Sequence, residues 1–168
     1  MLNGSYPNFS FQDAFKMLIK KNYLSEKKAL SYSLAIGNFD GIHEGHRYLL
    51  GKLKSIKKDN SHKIAVLSFA PHPIKLLAPN KWNKNLVKFR TKYKQLKALG
   101  VDVLFIINFN QKFSRISAEQ FINEYLIEKL NIKNIVVGED FKFGHNRKGD
   151  IKLLEYYANK KKFNLICL

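Results

Sequence analysis

Two kinds of apolar spacing alternate along this chain. Short, mostly apolar runs, at 32–36, 63–69, 103–107, 135–137 and 163–168, read as strands buried on both faces. Between them apolar side chains return every three or four positions, the spacing of a helix with one buried stripe. Leu49, Leu50, Leu53 and Ile56 mark such a helix over 45–58. Tyr93, Leu96 and Leu99 mark another over 91–99, stopped by Gly100. Phe121, Ile122, Tyr125 and Leu126 mark a third, opened by a capping box of Ser117 and Gln120. Ile151, Leu154, Tyr157 and Ala158 mark a fourth, capped by Asp150. Ahead of these, Ser10 and Asp13 open a helical pattern of Phe11, Ala14, Phe15, Leu18 and Ile19, so 1–31 is expected to be a helical segment packed on the main domain. Pro71-His72-Pro73 stops the second strand, and 79–88, with Trp82, reads as loop.

The alternation predicts an α/β domain over 32–168: a Rossmann-like, doubly wound parallel sheet of about five strands with helices on both faces. Ligands of such sheets bind beyond the carboxyl ends of the strands, where strand order reverses. The chemistry-bearing residues follow the first, second and fourth strands.

After the first strand comes Gly37-Asn38-Phe39-Asp40-Gly41, then His43-Glu44-Gly45-His46 at the start of the next helix. Unpaired N–H groups and the positive end of the helix dipole suit a phosphate there. Two nearby imidazoles can donate hydrogen bonds to charge that builds on it. The same pair could be half of a metal site, although no Cys or further His cluster completes one, or two surface histidines with no role. After the second strand, the prolines of Phe69-Ala70-Pro71-His72-Pro73 present His72, as a structural turn would also do. After the fourth, Gly138-Glu139-Asp140-Phe141-Lys142-Phe143-Gly144 offers apolar walls and acceptors suited to a flat ring with a polar edge, and equally suits ordinary core packing.

Residues 37–46 resemble the GxFDGxHxGH signature of the FMN adenylyltransferase domain of bacterial bifunctional riboflavin kinase/FAD synthetases, a branch of the HxGH nucleotidyltransferase superfamily. Residues 69–73 resemble that family's F-x-PHP, with Ala70 where the family commonly has an acid. Residues 138–150, through His145-Asn146-Arg147-Lys148-Gly149-Asp150, resemble its GEDFxFGxxxxGD. Asn108-Phe109-Asn110, Phe113-Ser114 and 117–121 fit its pattern too. The resemblance runs from about Tyr32 to Leu168 and leaves 1–31 uncovered.

The resemblance implies that FMN attacks the α-phosphorus of MgATP to give FAD and pyrophosphate. It assigns His43 and His46 to the charge on the transferring group, and Gly37, Asn38, Phe39, Asp40, Gly41 and Gly45 to the ATP pocket. On the flavin side it points to His72, Asp140, Phe141 and Phe143. Mg²⁺ is expected on ATP oxygens and water, with no metal site of the protein's own. A Ser/Thr-rich segment ending in Arg (ISSTxIR) is expected after the fifth strand, beyond Leu168, and a riboflavin kinase module in the full-length protein. Other HxGH nucleotidyltransferases, acting on pantetheine phosphate or nicotinamide mononucleotide, and a non-catalytic nucleotide- or flavin-binding module remain as alternatives.

Composition changes this little. In 168 residues, 45% apolar, there is material for one sizeable core. The formal charge of +17 would suggest nucleic acid, but only Arg47, Arg90, Arg115 and Arg147 among 30 basic residues are Arg, and the Lys are dispersed. No specific nucleic acid is expected; the charge draws anions. One cysteine, Cys167, excludes an internal disulfide, and neither a signal peptide nor a membrane span is read, so the cytoplasm is expected.

Overall fold

The computed structural model describes residues 17–21, 30–56, 62–82, 87–160 and 162–168. Its centre is a sheet of β1 (Leu18–Lys21), β2 (Ser31–Ile36), β3 (His62–Ala70), β4 (Val103–Asn108), β5 (Ile132–Val137) and β6 (Asn164–Cys167), in the order β1-β4-β3-β2-β5-β6 with every pairing parallel. The expected parallel α/β sheet is present, with six strands where the apolar runs gave about five.

The extra strand corrects the N-terminal expectation. Positions up to 16 of the expected helix lie outside the described residues, but Leu18 and Ile19 lie in β1, paired with Val103 and Leu104. Both side chains are exposed. Backbone hydrogen bonds to the free edge of β4 therefore hold this segment, and side-chain spacing does not register such bonds. Lys20 and Lys21 follow on what is now the sheet's outer edge, where charge discourages further pairing.

Alternate strand residues face opposite ways. Leu34, Ile36, Leu67, Phe105 and Val137 join Phe121, Ile122, Leu126 and Leu154 on one face. Ala35, Val66, Leu104, Ile106 and Val136 join Leu50, Leu53 and Leu96 on the other. The helices divide accordingly. α1 (Glu44–Ile56) and α3 (Phe89–Ala98) cover the second face, and the short α2 (Pro73–Leu77) and α4 (Gln111–Ser114) follow β3 and β4. The first is covered by α6 (Ile151–Asn159) and by α5 (Ala118–Gln120), which runs on into the wider-turned helix Phe121–Lys129. Each fully buried Leu or Phe stabilises the fold by about 1.5–3 kcal/mol over leaving it in water.

Two caps match the sequence. Asp150 Oδ1 accepts the Leu153 N–H at 3.1 Å, and Ser117 Oγ accepts the Gln120 N–H at 3.0 Å. The return half of the capping box is not made, because the Gln120 amide donates to Glu124 Oε1 at 2.8 Å instead.

Strand order reverses at β2, which has β3 on one side and β5 on the other. A buried polar ladder pins the strands there. The Asn134 amide donates to Ser33 Oγ at 2.9 Å and its oxygen accepts from the Asn164 amide at 3.0 Å. The β2 and β5 ends therefore open one crevice at a fixed register. Among the described residues, no helix is long and apolar enough to cross a membrane.

Candidate active site

The chain leaves β2 at Gly37 and enters α1 at Glu44 through a turn built on Phe39. Phe39 sits at φ 48°, and its ring is folded inward and fully buried. His46 lies on that ring with centroids 4.5 Å apart, and His43 lies on His46 at 3.8 Å. Three rings thus stack from the core toward the mouth of the crevice. Gly45 leaves room for the outer one: a Cβ there would stand 3.2 Å from His43 Cε1 and Nδ1.

His46 Nδ1 is 3.3 Å from the Gly41 carbonyl oxygen. A carbonyl only accepts, so that nitrogen carries the hydrogen. Burial lowers the His46 pKa to about 4; the neighbouring His43 and Lys92 also lower it, and the Gly41 carbonyl opposes them. At neutral pH the ring is then uncharged, with its lone pair on Nε2. It becomes a donor to phosphate only by taking up a proton, a refinement of the expectation that both imidazoles simply donate.

Behind the turn stands Lys92 of α3. Its Nζ donates to the Asn38 carbonyl oxygen and, at 2.6 Å, to Ser68 Oγ, which itself donates to the same Asn38 oxygen at 3.0 Å. Burial lowers Lys92 to about 8, against the pull of Asp40. Asp40 Oδ1 accepts the Val87 N–H at 3.2 Å.

A cavity of about 720 Å³ fills the crevice. Gly37, Asn38, His43, Gly45 and His46 line one side, and Gly138, Asp140, Phe141, Phe143 and Arg147 the other. Phe69 and Phe109 complete its apolar wall, and Tyr48, Ile74 and Leu77 its rim. Phe141 and Phe143 stack with centroids 5.4 Å apart. A second pocket of about 540 Å³ shares Phe69, Phe109, Phe143 and Arg147 with the first and runs on to Phe113 and Phe121. With Lys142 and Arg147 beside one carboxylate, Asp140, the main cavity favours an anion that also carries an apolar ring.

Eight of the twelve residues singled out in the sequence thus line one cavity: Gly37, Asn38, His43, Gly45, His46, Asp140, Phe141 and Phe143. Four do not. Phe39 is the floor beneath His46, Asp40 is turned to Val87, and Gly41 supplies the carbonyl that orients His46. His72 caps α2 (Pro73–Leu77), accepting the Ile74 N–H at 3.3 Å and packing on Trp82 at 5.0 Å. Burial also lowers the His72 pKa. Among the described residues, no group of three or more His, Cys, Asp or Glu gathers as a metal site.

Sequence reasoning missed Phe69, Phe109, Arg147 and Lys92. The first three lie inside quoted motifs without having been singled out. Lys92 carries no local signal at all, being one lysine among many, and becomes visible only through partners far away in sequence.

Comparison with known proteins narrows the reading. The chain is 40% identical over 134 residues to the bifunctional riboflavin kinase/FMN adenylyltransferase of Buchnera aphidicola from Schizaphis graminum, covering 80% of this chain and 43% of that protein. It is 38% identical over 122 residues to the Escherichia coli K12 protein of the same name, covering 73% of this chain and 39% of that one. The chain therefore spans less than half the length of these curated relatives. A solved Streptococcus pneumoniae structure, described as a macrolide-efflux protein, shares the fold with a TM-score of 0.75 at 23% identity, covering 91% of this chain and 51% of that one. The FAD synthetase family matches residues 25–168. By that match, and by its identity to these relatives, this chain belongs to the FAD synthetase family.

Proposed function

We propose that this chain transfers the adenylyl group of ATP to FMN, giving FAD and pyrophosphate. One observation carries the reading: a single cavity joins an imidazole pair at a helix N-terminus to an aromatic wall. The first end suits the triphosphate and the second an isoalloxazine ring. The relatives' names include FMN adenylyltransferase, which agrees.

In the reaction a phosphate oxygen of FMN forms a bond to the α-phosphorus of ATP. The bond from that phosphorus to the bridging oxygen breaks, and pyrophosphate leaves with the electron pair. No covalent enzyme intermediate is needed, so catalysis rests on placing two anions and stabilising the charge between them. Gly37, Asn38 and Gly45 bound the ATP side, with Phe39, Asp40 and Gly41 shaping the turn from behind. The approaching triphosphate favours protonation of His46, whose Nε2 then donates to it while Nδ1 stays on Gly41. His43 stacks outside and contributes a second donor. Asp140, Phe141 and Phe143, with Phe69 and Phe109, bound the flavin. His72 serves this side indirectly, by capping α2, whose Ile74 and Leu77 form the rim. Mg²⁺ enters as MgATP, held by phosphate oxygens and water. The relatives' kinase activity is the natural source of FMN, and we place the reaction in the cytoplasm, where ATP is plentiful.

The test is incubation of the full-length protein with FMN and ATP labelled at the α-phosphate. Label appearing in FAD, with equimolar pyrophosphate, supports the reading. Label transferred to pantetheine phosphate or nicotinamide mononucleotide in preference to FMN would overturn it.

A further inference from the structure

We propose that Lys92 is a positioning residue for this transfer: its ammonium locks the turn between β2 and α1 against β3 and so holds the imidazole pair in place. The inference rests on the adenylyl-transfer reading for its activity test, while its test at His46 stands independently.

The geometry is a three-way junction. Lys92 Nζ and Ser68 Oγ both donate to the Asn38 carbonyl oxygen, and Lys92 also donates to Ser68. Ser68 is buried near the end of β3, and Asn38 lines the cavity. The carbonyl that β2 would otherwise leave unpaired beyond the sheet is thereby tied to two neighbouring elements, α3 and β3. Two residues on from Asn38, the Gly41 turn begins, and it carries the carbonyl that orients His46. A shift of the Asn38 carbonyl therefore moves the imidazole pair, and a misplacement of about 1 Å can cost roughly 10²-fold in rate.

Charge adds a second effect. Asp40 on the turn attracts the ammonium; burial chiefly holds His46 on α1 and His72 beyond β3 toward their neutral forms, and the ammonium adds a smaller push in the same direction. This partly buried lysine places a positive charge behind the turn on which the triphosphate would arrive. Its own burial makes it titrate near pH 8, within reach of an ordinary rate profile. Above that pH the neutral amine can still donate hydrogen bonds, but they lose their charge assistance. The fold itself moves the other way: a lysine with a lowered folded pKa makes the native state more stable, not less, as pH rises from about 8 toward the usual 10.5. Rate and stability therefore diverge in this window, which separates positioning from a merely structural part.

The experiment uses the full-length protein, its Lys92→Met and Lys92→Arg variants, and three readouts: thermal melting, the pH profile of FAD formation, and the His46 titration followed by NMR. We expect folded Lys92→Met to lose about tenfold or more in kcat/KM for MgATP while the KM for FMN changes little. Its rate should no longer fall above pH 8, and His46 should titrate at a higher pH than in the parent. Lys92→Arg should keep its rate past pH 8, since guanidinium stays charged. Parental kinetics and an unmoved His46 titration in folded Lys92→Met would overturn the proposal. Should Lys92→Met fail to fold, Lys92→Arg decides: an alkaline limb displaced upward supports the proposal, and one unmoved from the parent's overturns it. A parent that makes no FAD while His46 still responds to Lys92 would refute the activity reading and leave the junction standing.

Discussion

Gly144 offers a test of how the Phe141–Phe143 side of the crevice is held. It has φ 72° and ψ 178°, a region open in practice to glycine alone. A Cβ there would lie 2.7 Å from both the Cα and the N of Ala118. Those are backbone atoms at the start of α5 and cannot swing aside. The segment is also pinned nearby: the His145 N–H donates to Ile116 O at 2.8 Å, and Phe143 and Gly149 exchange backbone hydrogen bonds of 3.1 and 2.9 Å. Gly144→Ala therefore adds backbone strain of about 1–3 kcal/mol and an overpacking term of about 1–3 kcal/mol. Against a total stability of about 5–15 kcal/mol, this should lower Tm by roughly 10 °C. Gly51→Ala is the control. Gly51 is exposed within α1, and a Cβ there meets nothing within 4 Å, so alanine should stabilise by about 1 kcal/mol and raise Tm by about 2–4 °C. Melting followed by circular dichroism reads both. FMN titration should show weakened binding in Gly144→Ala alone, because Phe143 and Arg147 move with the segment. A Gly144→Ala protein melting within about 2 °C of the parent would mean that the segment is not held this tightly.

Acid should weaken the fold through His46. Its folded pKa, about 4, lies below the usual 6.5, so its contribution to stability is complete above about pH 6.5 and is lost as pH falls toward 4. Melting temperatures across that range should fall less steeply in His46→Gln than in the parent; equal slopes would contradict the assignment. Binding to a random DNA duplex should weaken by on the order of 10³-fold between about 50 and 200 mM salt, since dispersed lysines give only counterion release. A complex of about 10⁻⁸ M at physiological salt that prefers one sequence would favour a nucleic-acid partner instead.

What the sequence discloses here depends on how far apart the cooperating residues lie. β2, β3 and β4 are legible because both their faces are buried, which makes 34–36, 64–67 and 103–107 continuous apolar runs. The imidazole pair is legible because one turn and the first turn of a helix bring His43 and His46 together locally. β1 is not legible, since main-chain bonds to β4 hold it and Leu18 and Ile19 point to solvent. The helix after Ser117 shows apolar spacing that fits an ordinary α-helix, yet it closes with Leu130 N–H on Tyr125 O, one residue wider. Side-chain periodicity cannot resolve that difference over so few turns. The supports of the site are the least legible. Lys92 meets Asn38 across 54 residues and Ser68 across 24, and Asp40 meets Val87 across 47. The inward turn of Phe39 likewise follows from its φ of 48° and the rings stacked on it, and a glycine-flanked aromatic in sequence suits a ligand wall equally well.

In the proposed transfer the stacked imidazoles act on the transferring phosphorus while the aromatic end only holds the flavin. Single-turnover FAD formation by the full-length protein and its His43→Ala and His46→Ala variants, at saturating FMN and MgATP, beside FMN titrations of each, separates the two parts. Under this division of labour, rates fall by roughly two to three orders of magnitude in both variants with FMN affinity nearly unchanged. Near-parental rates in both, or a loss explained by weaker FMN binding, would contradict it.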